Sequence, residues 1–371
     1  MNNSKFKSLL ILYALYVWFS KVSSSIIPAY LLSRGATINQ MFLASVLQFI
    51  PMLIVLLFVR IKSARLSWRL ALVSVLLAVF SVVNIRFNFQ IYLTYIFSGI
   101  ALALFFVYYN VGHFLYTPKG RAGISGGIMY AVNPVISIFA PIIAGGLAMS
   151  HINYLWAICL TSFVVAFWFT SKQTDFSLSY SLKKSIDALA PIRVPIFIEG
   201  VWEAVLFAFI PLSTLHFISS PAGYGQYLGY LSLIGTVAGL LLGHYSDKLG
   251  KRSFLLWPIS IILSLATLGL WYGLQSLFTW VVITSIMQFV VPIFWNLTTA
   301  LVVDQDLDLK VVFPGREVIL ALGRMLGLIF TYLCVTNGQP GFLLITLSLV
   351  ILLLPTYLHY HSKITKKYSY R

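Results

Sequence analysis

Charged side chains are scarce in this chain. Only 9% of its 371 residues are Asp, Glu, Lys or Arg, and nine of these are acidic. Soluble domains carry about 25% charged residues, so most of this surface cannot face water. Cysteine is scarcer still. Cys159 and Cys334 both fall inside apolar runs, which argues against a disulfide framework or a metal site and for two buried small side chains. Alternating segments of about ten residues, the mark of a transmembrane β-barrel, are missing. No nucleotide-binding loop occurs, which argues against ATP-driven pumping, and no cofactor is expected. The first apolar run is long, contains Lys21 and lacks a small-residue cleavage site, so it does not read as a cleaved signal peptide.

What the chain has instead is apolar length: 60% of it is hydrophobic. A helical span needs roughly 20 such residues. Twelve candidates fit, at 9–31, 38–59, 67–85, 90–113, 124–148, 152–171, 195–216, 226–245, 254–274, 277–301, 316–336 and 341–360. Helices are expected because each span must satisfy its own backbone polar groups. The fold class is therefore an all-α polytopic membrane protein of twelve transmembrane helices.

The net charge of +16 could suggest a nucleic-acid partner, but the placement of the charges argues otherwise. With a cytoplasmic N-terminus, 21 of the 25 Lys and Arg lie on the cytoplasmic side and only Arg34 and Arg86 lie outside, while Lys21 and Arg324 fall within spans. That asymmetry is the positive-inside rule. It predicts cytoplasmic N- and C-termini and attraction to an anionic inner leaflet. A multi-pass protein of the plasma membrane is expected.

The most polar connection, Ser171 to Pro191, follows the sixth span and divides the chain into a half at 1–171, a cytoplasmic loop at 172–191 and a half at 192–371. Weak internal matches support two pseudo-symmetric six-helix bundles. Phe105-Phe-Val-Tyr-Tyr-Asn110 in the fourth span pairs with Pro292-Ile-Phe-Trp-Asn296 in the tenth. Pro118-Lys-Gly-Arg121 opens the fifth span as Pro314-Gly-Arg316 opens the eleventh, and Ile27-Pro28 late in the first resembles Ile210-Pro211 late in the seventh.

Between the eighth and ninth spans stands Gly243-His-Tyr-Ser-Asp247-Lys248-Leu-Gly250-Lys251-Arg252. This pattern resembles the cytoplasmic-loop signature of the major facilitator superfamily of transporters. The likeness extends to the twelve spans, the inside termini and the two halves. The first-half counterpart, Arg60 to Arg69, keeps the charge but lacks the acid and the glycines. Ala140-Pro141-Ile-Ile-Ala-Gly145-Gly146 resembles a loosened exporter element of the superfamily, with one extra residue and no leading glycine. The resemblance implies secondary transport by alternating access, a cytoplasmic latch between Asp247 and the start of the fifth helix near Arg121, and a lean towards efflux, as in a proton antiporter. Gly243 permits close helix approach and Gly250 permits the turn. The alternative for the loop is a solvated turn that only sets topology.

Ionisable groups inside spans cost about 3 kcal/mol or more each at mid-bilayer. Lys21 lies on the first span, Glu199 and Glu203 on one face of the seventh, and Arg324 on the eleventh. At 1.5 Å per residue, Glu203 and Arg324 both lie roughly 13 Å deep, which makes a salt bridge between them reasonable. Glu203 or Glu199 could carry a proton, with Lys21 meeting an anionic group. Alternatively, Glu203 and Arg324 neutralise each other and Lys21 snorkels. The resemblance places Trp18, Tyr109, Trp202, Trp295, Asn110 and Asn296 on cavity-lining helices, as substrate contacts or as packing.

Gly123-Ile-Ser125-Gly126-Gly127 resembles the nucleophile motif of rhomboid intramembrane proteases. No histidine stands mid-span to act as its base, and small residues for helix packing account for it better. The expected function is secondary active, proton-coupled transport of a small molecule by a monomer. The rivals are a lipid or polymer-precursor flippase and a non-transporting receptor or assembly factor on the same fold.

Overall fold

The computed structural model describes residues 4–59, 61–83, 88–117, 122–178, 180–245, 252–303 and 308–360. The helices are α1 (Ser4–Ser24), α2 (Ile27–Ser33), α3 (Ile38–Phe58), α4 (Ala64–Val83), α5 (Phe89–Leu115), α6 (Ala122–Ser150), α7 (Ile152–Thr170) and α8 (Leu182–Ala188). They continue as α9 (Arg193–Trp202), a π-helical turn (Val205–Phe209), α10 (Ile210–Thr214), α11 (Pro221–Tyr245), α12 (Arg252–Gly273), α13 (Leu277–Val303), α14 (Leu309–Thr336) and α15 (Pro340–Tyr360). No strand occurs among the described residues. Taking α1 with α2 as one span and α9 through α10 as another gives twelve spans, with α8 in the central connection. Eleven are apolar enough to cross a membrane by length and composition; the other, glycine-rich α11, is 25 residues long and lies along α6. The chain is a multi-pass integral membrane protein.

The helices form two six-helix bundles with matching internal packing. In the first, α1 packs on α6 and α7, and α5 on α3 and α4; in the second, α9 packs on α14 and α15, and α13 on α11 and α12. One apolar core fills the first bundle and runs across the seam to residues such as Leu212, Tyr224 and Phe313, and a second fills the rest of the second bundle. Exposed side chains such as Phe139, Val164, Leu265 and Leu349 point outward, where hydrocarbon rather than water suits them. The bundles meet along two seams, α6 with α11 and α3 with α14. The first seam is closed by glycine. A Cβ on Gly145 would strike the Pro221 carbonyl, and one on Gly225 or Gly229 the carbonyls of Pro141 or Ile138. The exporter-like Ala140–Gly146 element thus forms an inter-bundle contact, as small residues do between membrane helices.

Two expectations change. The first and seventh spans are broken rather than continuous. Pro28 and Pro211 each stand in the first turn of the second piece, where the missing N–H removes a backbone bond to the preceding turn. In the seventh span the chain absorbs this as the π-helical turn, into which Glu203 leads. Secondly, Pro314-Gly-Arg316 does not open the eleventh span. The helix begins at Leu309, where the Asp308 carboxylate accepts from the Lys310 N–H at 3.0 Å, and Pro314 lies inside it. Arg316 and Glu317 are thereby drawn into the bundle.

The acid missing from the Arg60–Arg69 loop is supplied from elsewhere. Asp175, beyond the sixth span, accepts from the Arg65 N–H at 3.0 Å and the Ser63 hydroxyl at 2.8 Å, at the start of α4. Partial burial raises its pKa, but the bonds from Arg65, Ser63 and Phe176 and the Arg65 charge outweigh this and lower it. A depressed carboxylate pKa contributes stability that is present above the unfolded value of about 3.9 and is lost as pH falls through the folded one. Asp175→Asn should therefore lower the thermal midpoint near neutral pH, and the gap to wild type should close in acid. A gap independent of pH would refute the cap.

Candidate functional site

Glu199 and Glu203 lie one turn apart on α9, and both are about 1% exposed. They meet α13 on one side and α14 on the other. Glu203 sits at the C-terminal end of α9, beside the π-helical turn. Arg324 Nε donates to its Oε2 at 2.5 Å, and Trp295 Nε1 donates to its Oε1 at 2.5 Å. Both oxygens are thus engaged by strong donors, and the Arg324 guanidinium also lies 5.0 Å over the Phe207 ring. The expected Glu203–Arg324 pair is present.

One turn nearer the face that bears the basic loops, Glu199 accepts from the Thr298 hydroxyl at 3.0 Å and faces Arg316 Nη2 at 3.4 Å. Arg316 also reaches Glu317 Oε1 at 3.3 Å and Thr299 Oγ1 at 3.4 Å. Glu317 in turn accepts from Asn110 Nδ2 at 3.0 Å. Asn110 belongs to α5, in the other bundle. This polar ladder therefore crosses between the bundles. Phe114, one turn on from Asn110, stacks on Phe313, one turn back from Glu317, with centroids 5.3 Å apart and planes at 9°. The two rungs pair because α5 and α14 run antiparallel.

Close approach of α9 and α14 is what lets the ladder form. Gly323 and Gly327 make a Gly-x-x-x-Gly face on α14, with Gly200 opposite on α9. A Cβ on Gly200 would lie 2.6 Å from the Leu320 carbonyl oxygen, and one on Gly323 2.5 Å from that of Phe197. Backbone contact of this kind is the usual use of small residues between membrane helices.

The remaining candidates are dispersed. Lys21 lies on α1, three residues before its end, and its ammonium group makes no hydrogen bond or ion pair with a described residue. Ser25, one turn further along the same face, has a buried hydroxyl without a partner. Trp18 donates to Ser162 of α7 at 3.0 Å, and Trp202 donates to Thr267 of α12 at 3.1 Å, so each indole is tied within its own bundle. Tyr109 stacks on Tyr13 at 4.2 Å and meets His113 at 3.2 Å. Asn296 is half-buried on α13, and the Asn110 amide bonds to Glu317. Of the latch residues, Arg121, Asp247, Lys248, Gly250 and Lys251 lie outside the described residues; Gly243 falls in the last turns of α11 and Arg252 opens α12. Sequence reasoning missed Arg316 and Glu317, which a helix start at Leu309 buries; the Asp308 cap and the Gly323-x-x-x-Gly327 face were the available signals.

No family model and no curated protein matches this chain. Solved structures do. A bacterial homologue of the iron transporter ferroportin, outward-facing with soaked iron, superposes with a TM-score of 0.71 at 11% identity, covering 96% of this chain and 99% of that one. The fold is that of the major facilitator superfamily. The human organic anion transporter MFSD10 gives 0.68 at 13% identity over 95% and 99% of the two chains. A POT family transporter in complex with a thioalcohol-conjugated peptide gives 0.67 at 12% over 96% of each. On this superfamily fold, the ladder occupies the seventh, tenth and eleventh helices and reaches the fourth.

Proposed function

We propose that this chain is a secondary transporter that moves a small molecule by alternating access and is driven by protons. The halves 1–171 and 192–371 rock about the connection at 172–191, with both termini in the cytoplasm. The observation that carries this reading is the Asn110–Glu317 bond at 3.0 Å, a polar contact between the two bundles that continues a buried charge ladder. A polar contact at such a seam can be made in one state and broken in the other. Buried ionisable groups are retained in membrane helices chiefly for transport or coupling. Lys21, with no described partner, supplies a cation for an anionic part of the substrate. The Gly243–Arg252 loop acts as the cytoplasmic latch. The exporter-like element at Ala140–Gly146 favours efflux by proton antiport across the plasma membrane, by a monomer.

The test is a thermal-shift screen of the purified protein in detergent at two pH values. The probes are sugars, amino acids, nucleosides, lipophilic cations, organic anions and phospholipid headgroups. A ligand at 100 times its Kd stabilises the folded state by about 2.7 kcal/mol. The expected result is a pH-dependent shift with one soluble class, reduced in Lys21→Gln if that class is anionic. A shift with lipids alone would replace this reading with lipid flipping. No shift with any probe would favour a non-transporting role.

A further inference from the structure

The ladder holds more acid than base. Glu199, Glu203 and Glu317 face only two guanidinium groups, those of Arg316 and Arg324, among the described residues, and all three carboxylates are at most 5% exposed. The surplus is not spread evenly. Glu203 has Arg324 and Trp295 at 2.5 Å, one on each oxygen. Glu199 and Glu317 share Arg316 at 3.4 and 3.3 Å, well beyond the roughly 2.8 Å of a good charge-assisted bond.

We propose that Glu199 and Glu317 hold a single proton between them beside Arg316, and that this pair, not Glu203, is the proton-binding site of the protein. The coupling role of that proton rests on the transporter reading above; its presence does not. An uncompensated buried carboxylate is so costly that such a group takes up a proton instead. Among the described residues, Arg316 is the one cation within 4 Å of either carboxylate of the pair. On α13 there is no ionisable side chain, and none on α3. On α5, His113 is held among Tyr109, Phe6 and Phe114. On α8, Lys183, Lys184 and Asp187 are exposed. Further along α14, Arg324 is engaged by Glu203.

Two features equip the pair to gain and lose a proton. Asn110 Nδ2 donates to Glu317, while its Oδ1 is buried without a partner. Rotating that amide by half a turn presents Oδ1 to a protonated Glu317, so one side chain can satisfy either state. A small recess lined by Ile192, Pro195, Glu199, Thr298 and Val302 borders Glu199 near the start of α9, at the end that bears the basic loops. Proton loss at Glu317 would also alter the one bond that ties it to α5, which links protonation to the seam between the bundles.

Infrared pH-difference spectra of the purified full-length protein test this directly, through the C=O stretch of a protonated carboxyl group. Wild type should show this band at neutral pH and lose it at high pH. Glu203→Gln should keep it. Glu199→Gln and Glu317→Gln should each abolish it, since either leaves a single carboxylate facing Arg316, whereas Glu203→Gln leaves the Glu199–Arg316–Glu317 cluster as it was. Glu317→Asp, which restores a carboxyl group, should restore a shifted band and thereby separates proton loss from misfolding. A band that survives both glutamine substitutions, or one that disappears in Glu203→Gln, would overturn the proposal. Failure to find flux with any substrate would remove the transporter reading and leave the band unaffected.

Discussion

Replacing Arg324 with glutamine should destabilise the protein by about 3–5 kcal/mol, the usual result of removing one partner from a buried ion pair. The size follows from what is left behind. Glu203 is about 1% exposed, and without the guanidinium it keeps only the Trp295 N–H as a strong donor. Glu203→Gln should be less damaging than Arg324→Gln. Arg324 is somewhat more accessible, at 16% side-chain exposure, and retains its contact with the Phe207 ring. The double substitution should recover most of the loss, because two neutral amides can hydrogen-bond each other and no charge remains to be solvated. Thermal unfolding in detergent of the two single variants and the double variant provides the cycle. A double variant as unstable as the sum of the singles would mean that the two residues do not act as a pair.

An effect of similar size is expected at a position that carries no charge. Gly323→Leu should disrupt the α9–α14 contact. Even a Cβ there would lie 2.5 Å from the Phe197 carbonyl oxygen and 3.0 Å from Gly200 Cα, both backbone atoms that cannot swing aside. Overpacking alone typically costs 1–3 kcal/mol. Here separation of the helices would also stretch the Glu203–Arg324 and Glu199–Arg316 contacts, so a loss of roughly 3 kcal/mol or more is expected. Gly323→Ala should show a smaller loss in the same direction. Gly146→Ala is the control: its added methyl meets nothing within 4 Å, and a change within about 0.5 kcal/mol is expected. If Gly323→Leu matches that control in thermal midpoint, the close approach of these helices does not hold the ladder together.

Much of the architecture was legible because a bilayer imposes a simple rule on sequence. An apolar run must be about as long as the membrane is thick. The twelve runs in the chain therefore correspond one for one to the twelve helical spans, and the polar stretch 172–191 to the connection that holds α8. The Glu203–Arg324 pair was legible for a related reason, since two opposite charges at similar depth on parallel spans have few other ways to be stabilised. The paired Ile-Pro sites proved informative too, each marking a broken span.

Hydropathy did not reveal the start of α14. Residues 309–315 are apolar apart from Lys310 but carry Pro314 and Gly315, which read as a helix start, and what makes the whole stretch helical is the Asp308 cap and packing of Gly315 against Ser185 of α8. That unseen extension carried Arg316 and Glu317 into the interior and gave Asn110 its partner. The choice among aromatic residues was equally hidden, because Trp18, Trp202 and Trp295 are alike in sequence. Only packing turns Trp295 to the Glu203 carboxylate while Trp18 and Trp202 bond to the uncharged hydroxyls of Ser162 and Thr267.

Sequence alone thus determined that this chain is a helical membrane protein, how many times it crosses, which ends carry the positive charge and which groups are too polar to lie idle in lipid. These are properties of each segment and its solvent. The tertiary structure decided which carboxylate meets which guanidinium, that the sharing is unequal, and that the ladder reaches the other bundle. Those outcomes depend on distances of a few tenths of an ångström between helices far apart in the chain, set by glycines whose neighbours only the fold supplies.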